Sequence, residues 1–289
     1  GETLVVDFGQ NCAGIPSFVF KAAEGTVLTC LPAELLNDGN GAKIRGMDGP
    51  EGSCHRENLR IPHTGIRLDY TFAGGDNYVA YYPHCTFFGY RYVSITATGN
   101  VAIKSLKSIP VTSIAKELET GTITTGNDLV NKLISNTYWG QLSNYLSIPT
   151  DCPQRDERQP WLGDRTMGCW GESFLFDNST LYSKWTRDIC EAQREDGCIP
   201  DVAPAFWMYY SDNVTWPAAL PFACDMLYTQ FGNREPIERC YPYIRKWMLH
   251  LHKEYLKDGL ITKDRYGDWC VPPESLELIH SKDSARITD

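Results

Sequence analysis

Two rhythms of apolar and polar residues divide the chain. From residue 1 to about 110 short runs alternate: TLVVDF, PSFVFKA, TVLTCL, RLDYTFA, YVAYYPH, RYVSITA and VAIKSL. Alternation sets one side of each run against a core and the other toward water, which is the period of a half-buried strand. Gly, Asn, Asp and Pro punctuate the runs, as in LLNDGNGAK and FAGGDNY, and supply the turns between strands. Runs at this spacing predict a β-sandwich domain over residues 1–112. The segment from Asn37 to Asn58 is rich in glycine and weak in periodicity, so it reads as a long loop.

A linker over 113–126 leads to a different grammar. In NDLVNKLISNTYWGQLSNYLS, residues 127–147, the apolar positions Val130, Leu133, Ile134, Tyr138, Leu142 and Tyr145 fall near helical spacing, behind the capping candidates Thr125 and Asn127. Further helices are expected over 168–194, 217–231 and 236–257, the last two ending before Gly232 and Gly259. The connections 195–216 and 259–281 are long and rich in Pro and Trp. Helices joined by loops of alternating length suit a toroid whose long loops gather at one end. The expected architecture is therefore a β-sandwich followed by an all-α (α/α)6 barrel, incomplete within residues 127–289. Both ends of the chain are expected to be excised from a longer protein.

Composition narrows the function. A formal charge of −9 and the lack of a basic stripe exclude the footprint of a nucleic-acid binder. No apolar stretch approaches the ~20 residues of a membrane-spanning helix. Eight tryptophans and sixteen tyrosines are compatible with sugar binding, because an aromatic face packs on the C–H face of a pyranose, although ordinary cores account for most such rings. Eleven cysteines form no CxxC pair and their number is odd, which leans toward free thiols and a reducing compartment. The six histidines are scattered, and His250 and His252 read as surface positions of a helix, so neither a metal nor a cofactor is expected.

The chemistry concentrates in DCPQRDERQPWLGD, residues 151–164. It carries the carboxylates Asp151, Asp156, Glu157 and Asp164, the arginines Arg155 and Arg158, and Trp161, with Pro153 and Pro160 holding the backbone out of helix. Glycosidic cleavage requires one protonated carboxyl to donate to the leaving oxygen and a second carboxylate to activate water or attack carbon. Crowded carboxylates favour the first by raising a neighbour's pKa, while arginines hold the others ionised. An Arg–Asp network bracing a helix entrance would use the same residues.

This stretch closely resembles the signature of the bacterial α-L-rhamnosidases, glycoside hydrolase family 78, written DCPxRDERxxWxGD or, one residue shorter, DCPxREKxGWxGD. VDFGQNCAG, AELLNDG and YYPHCTFFGYRYVSI are similar to the sandwich preceding that family's catalytic domain, and YGDW (266–269) to a further pocket motif. The resemblance implies that Glu157 is the general acid and that Asp151, Arg155 and Asp164 bind rhamnose hydroxyls beside Trp161. It makes Asp156 a supporting group, and it places Trp216, Asp268 and Trp269 on the pocket wall. Pro217 and Ala218 depart from the Gly-Asp that often follows such a tryptophan. The implied reaction is inverting hydrolysis of terminal α-L-rhamnose from a carbohydrate substrate, with the base a glutamate expected beyond residue 289. Glu172 and Glu274 stand near predicted helix or loop starts, and solvent-facing roles are expected for both. The alternatives are a catalytically silent sugar-binding relative, against which the retained Glu157 weighs, and a polysaccharide lyase, whose motifs have no counterpart here.

Overall fold

The computed structural model describes residues 3–38, 48–59 and 65–267. The chain forms two compact units, Gly1–Lys116 with Thr122–Arg158, and Glu117–Gly121 with Gln159–Asp289.

The first unit is built on a long strand β1 (Leu4–Ala22), which joins two runs expected to be separate. The join includes an irregularity in register between Asp7 and Cys12, where the Gly9 N–H donates to Asp7. The other strands are β2 (Val27–Ala33), the short pair β3 (Leu35–Leu36) and β4 (Cys54–His55), β5 (Leu68–Thr71), β6 (Val79–Tyr81), β7 (Phe88–Ala97) and β8 (Val101–Pro110). Six of them make one sheet in the order β5-β2-β7-β1-β6, with β8 also paired to β1. Their inward positions bury Phe18, Phe20, Leu28, Val93 and Ile95 together with Leu59 and Phe72. Phe20 meets Phe18, Tyr70 and Phe72 edge-on at centroid distances of 5.4, 4.7 and 4.6 Å, the arrangement that ring quadrupoles favour.

Helix α1 (Asp128–Asn144) belongs to this unit, capped by the Asn127 side chain on the Leu129 and Val130 N–H groups. Its last turn docks on β1, where the Ala13 N–H donates to Ser143 Oγ at 3.0 Å. Leu142 and Tyr145 are buried as the spacing predicts, while Val130 and Leu133 are exposed.

The segment read as an unbroken loop after Asn37 contains β4 and a 3-10 turn, Glu57–Leu59. Asp48 organises it: one carboxylate oxygen accepts from the Arg56 and Glu57 N–H groups at 2.8 and 2.7 Å, and the other lies 3.0 Å from His55 Nδ1. Periodicity does not register a turn held by one side chain.

In the second unit the helices are α2 (Leu162–Ser173), α3 (Ser179–Glu191), α4 (Ala219–Phe231) and α5 (Glu235–Tyr255). The helical stretch expected over 168–194 is occupied by two helices. Residues 174–177 leave the helical path because their backbone pairs with 118–121: Thr120 and Gly121 N–H donate to Leu175 O, and Asp177 N–H donates to Leu118 O. On α3, Leu181, Tyr182, Trp185, Thr186, Ile189 and Cys190 recur every three to four residues and are buried, the stripe a core-facing helix needs. Trp185, fully buried, satisfies its indole N–H on Ala203 O at 2.7 Å. None of the described helices is long and apolar enough to cross a membrane.

Asp48 yields a pH signature. Burial pushes its carboxyl up, but hydrogen bonds from Arg56 N–H, His55, Asn37 and Glu57 N–H outweigh that and hold it at about 2. The folded value lies below the unfolded value of about 3.9, so the stabilisation is present above the latter and fades as pH falls through the former. Thermal melts of Asp48→Asn should therefore lie below wild type at about pH 5, with the gap closing toward about pH 2; a gap that stays constant over that window would contradict the assignment.

Candidate active site

The stretch 151–164 passes from the first unit into the second after Arg158. In the first unit it follows the end of α1, where the Thr150 N–H donates to Asn144 O at 2.7 Å. Three non-glycine residues in this region, Ser147, Cys152 and Arg158, have φ of 68, 52 and 51°. Left-handed backbone at such side chains is uncommon and persists where surrounding contacts enforce it. The contacts are visible. Arg158 donates to Phe87 O at 2.8 Å and lays its guanidinium 4.1 Å over the Phe87 ring. Gly89 on β7 leaves room for Gln154, whose Cα lies only 2.7 Å from where a Cβ on Gly89 would be.

Within this clamp Arg155 and Glu157 form an ion pair, with side chains 17 and 12% exposed. Asp156 is exposed to solvent. The Cys152 thiol donates to Asp151 Oδ2 at 3.3 Å; burial and the Asp151 charge push it far above the ordinary range, so it stays protonated. Asp151, Cys152 and Glu157 offer ligand atoms within 4.8 Å of one another. A cation there would have to displace Arg155 from Glu157. Glu34, between β2 and β3, adds a fourth acid: burial pushes its carboxyl up, opposed by a 2.9 Å hydrogen bond from Asn11 and by the charge of Arg155.

In the second unit residues 160–162 lie against 201–203. Trp161 and Val202 form a β-bridge, Leu162 N–H donates to Asp201 O at 2.9 Å and Ala203 N–H donates to Pro160 O at 3.2 Å. Trp161 stacks on Tyr209, centroids 5.8 Å apart and planes at 16°, with Trp207 edge-on at 6.4 Å. Asp164 is exposed in the first turn of α2, where the helix dipole favours a carboxylate. Gly163 is present for space: a Cβ there would sit 2.3 Å from Trp216 Cε2. Trp216 is 8% exposed and packs on Tyr266 with centroids 4.6 Å apart. Behind these rings lies Asp201, fully buried, accepting from Ser211 at 2.6 and 2.7 Å, Asn213 at 2.8 Å and Tyr266 at 3.1 Å. Burial pushes the Asp201 carboxyl up despite these donors.

Comparison with known proteins gives this arrangement its family. The model of the bacterial alpha-L-rhamnosidase six-hairpin glycosidase domain matches residues 118–289, and that of the bacterial alpha-L-rhamnosidase concanavalin-like domain matches residues 1–113. The chain belongs to the bacterial α-L-rhamnosidase family. An α-L-rhamnosidase of Streptomyces avermitilis is 32% identical over 274 residues, covering 92% of this chain and 24% of that protein. One from Alteromonas sp. is 28% identical over 277 residues, covering 95% of this chain and 28% of that protein. Among solved structures, the α-L-rhamnosidase of Dictyoglumus thermophilum superposes with a TM-score of 0.79 at 32% identity, over 93% of this chain and 28% of that one. The Streptomyces avermitilis enzyme complexed with L-rhamnose gives 0.81 at 32% identity, over 92% of this chain and 24% of that one. The chain thus spans about a quarter of the length of these rhamnosidases.

With the rhamnosidase fold in place, the expected site residues can be located. Asp151, Arg155 and Glu157 lie close together in the first unit; Trp161, Asp164 and Trp216 lie in the second. Asp268, Trp269 and Glu274 fall outside the described residues. Glu172 does not face solvent as expected: it is 2% exposed at the end of α2, paired to Arg165 at 2.5 Å and accepting from Tyr182 at 2.7 Å. Its place in the last turn of α2 hid both its partners, Arg165 two turns earlier on the same helix and Tyr182 on α3. Asp201, Ser211, Asn213 and Tyr209 were not anticipated, although the Trp- and Tyr-rich connection carrying them stood out as long.

Two glycines of α2 separate packing from propensity. Alanine in place of glycine inside a helix ordinarily stabilises by about 1 kcal/mol, but the methyl of Gly163→Ala must displace the Trp216 indole, and overpacking costs about 1–3 kcal/mol. Urea unfolding should show Gly163→Ala less stable than wild type. Gly171→Ala, whose Cβ meets nothing within 4 Å, should be more stable. Equal shifts for the two would mean that the indole yields freely.

Proposed function

We propose that the full-length protein is an exo-acting, inverting α-L-rhamnosidase in which Glu157 protonates the departing glycosidic oxygen. The observation that carries this reading is a signature glutamate, mostly buried and tethered to Arg155, in a chain of the rhamnosidase family. In such a reaction the acid donates as the C1–O bond breaks. A base carboxylate, roughly 6.5–9.5 Å from the acid, draws a proton from the water that attacks C1 from the opposite face.

The signature residues suit recognition of a polyhydroxylated ring. Asp151 and Arg155 supply an acceptor and a planar donor for adjacent hydroxyls, and Asp164, exposed in the first turn of α2, supplies another acceptor. Trp161, stacked flat on Tyr209, offers a ring face to the C–H side of rhamnose. Trp216 contributes at most an edge, being covered by Gly163 and Tyr266, and the family resemblance also assigns Asp268 and Trp269 to sugar binding.

The Arg155–Glu157 ion pair occupies the carboxylate that a general acid presents to the leaving oxygen. On the enzymatic reading, bound rhamnose hydroxyls draw the guanidinium away and the Glu157 carboxyl turns to the leaving oxygen. On a second reading, which the same pair favours, Glu157 never donates and the protein binds rhamnose without cleaving it.

Kinetics on the full-length protein separate these. Glu157→Gln should lower kcat by about 100- to 10,000-fold with alkyl rhamnosides while leaving binding largely intact. The loss should be much smaller with p-nitrophenyl rhamnoside, whose leaving group departs without a proton. An equal loss on both substrates would reduce Glu157 to a structural anion, and rhamnose binding by wild type without turnover of either would establish the second reading. Trp161→Ala should chiefly raise KM.

A further inference from the structure

Away from the signature, a second cluster of ligand-type side chains converges within the helical unit. Cys198, Asp212 and His250 each present one ligand atom, all within 4.8 Å of one another. Cys198 comes from the turn after α3, Asp212 from the long connection before α4, and His250 from α5. Expected on a helix surface, the His250 side chain is in fact only 9% exposed, with Nε2 2.8 Å from Asp212 Oδ1. Cys198 is buried. Beside the three lies a cavity of about 540 Å³, whose lining includes Asp212, His250 and Tyr255.

We propose that Cys198 Sγ, Asp212 Oδ1 and His250 Nε2 form a binding site for a zinc-class divalent cation, with water from the adjoining cavity as fourth ligand. A thiolate, an imidazole and a carboxylate with one open position is a donor set that zinc accepts in tetrahedral geometry. Thiolate and carboxylate together neutralise the dication, which allows it to sit in a largely buried place. Tyr255 OH donates to the other carboxylate oxygen, Oδ2, at 2.5 Å, fixing the rotation of the carboxylate and leaving Oδ1 toward the cation. Asp212 itself is held at φ 55°, a left-handed conformation that aspartate tolerates better than most residues. Lys263, 3.8 Å from Oδ2 and half exposed, lies on the tyrosine side and can turn outward.

Binding has a defined proton balance. The Cys198 proton passes to solvent as the S–metal bond forms, and the imidazole keeps one proton, carried on Nδ1, while Nε2 exchanges its hydrogen bond with Asp212 for the metal. In the metal-free protein burial, aided by Asp212, pushes the thiol up to about 12, so the metal must displace this proton. Cys198 and Asp212 bracket the loop that carries Trp207 and Tyr209, the rings packed on Trp161. A cation would tie both ends of that loop to α5 and stiffen the aromatic wall.

Cobalt(II) titration of the chelator-treated, reduced protein tests this. The expected result is saturation at one equivalent, with a near-ultraviolet thiolate-to-cobalt band and the visible bands of tetrahedral cobalt. Cys198→Ser should abolish the thiolate band, and His250→Gln should weaken binding at least about tenfold. Absence of the thiolate band in wild type overturns the proposal. So does its survival in Cys198→Ser, which would place the metal at another thiol, such as the buried Cys190, Cys224 or Cys240. Should Cys198→Ser fail to fold, zinc must raise the Tm of wild type and not that of His250→Gln; an equal rise in both excludes the site.

Discussion

One buried acidic residue, Asp201, holds together the part of the helical unit around Trp161 and Trp216. Its backbone carbonyl receives Leu162 N–H and so sets where α2 begins, while its own N–H donates to Tyr209 O and sets where the aromatic ring beside Trp161 stands. Its side chain collects Ser211, Asn213 and Tyr266. An ion or acid in that position without donors would cost several kcal/mol. The three side-chain donors are what make its burial tolerable, and they come from two stretches of chain, Ser211 and Asn213 from the connection before α4 and Tyr266 from the chain after α5. Asp264 repeats the device on a smaller scale: although burial opposes it, backbone donors at Val214, Thr215, Tyr266 and Gly267 keep its carboxyl below the ordinary range, and they anchor the chain just before the YGDW stretch.

The first unit reaches comparable order by other means. Arg158 over Phe87, Gln154 against Gly89 and left-handed backbone at Cys152 and Arg158 hold the acidic half of the signature on strand β7 and its neighbours. Strain of about 1–3 kcal/mol per such residue persists only where the surroundings impose it. Here they orient Arg155 and Glu157 as a pair instead of letting each side chain sample solvent. Under the proposed function a preorganised pair of this kind would suit a sugar site, since hydroxyl recognition and proton delivery both suffer from loose geometry.

Much of the fold was legible in the residues. Alternation located the strands and helical spacing located four segments, because burial on one face leaves a period in the sequence. What escaped notice was non-periodic. The merger of two runs into β1, the division of 168–194 into α2 and α3, and the turn around Asp48 each depend on a hydrogen bond between residues whose separation along the chain carries no pattern. Glu172 illustrates the same gap for single residues: Arg165 and Tyr182 turn an expected surface acid into a buried anchor.

For the site, the sequence by itself determined the chemical inventory. DCPQRDERQPWLGD supplies carboxylates, guanidinium groups, a tryptophan and a glycine, and its resemblance to a known signature supplied their expected roles. Tertiary structure alone decided which partners those groups meet. Trp216 packs on Gly163, Tyr209 lies flat on Trp161, and Cys198 meets Asp212 and His250, from segments up to 53 positions apart in the alignment of Trp216 with Gly163 and 52 for His250 with Cys198. Such contacts arise when helices and loops pack, and packing is set by shape and buried polar pairing across the whole unit, quantities that no local window of residues contains.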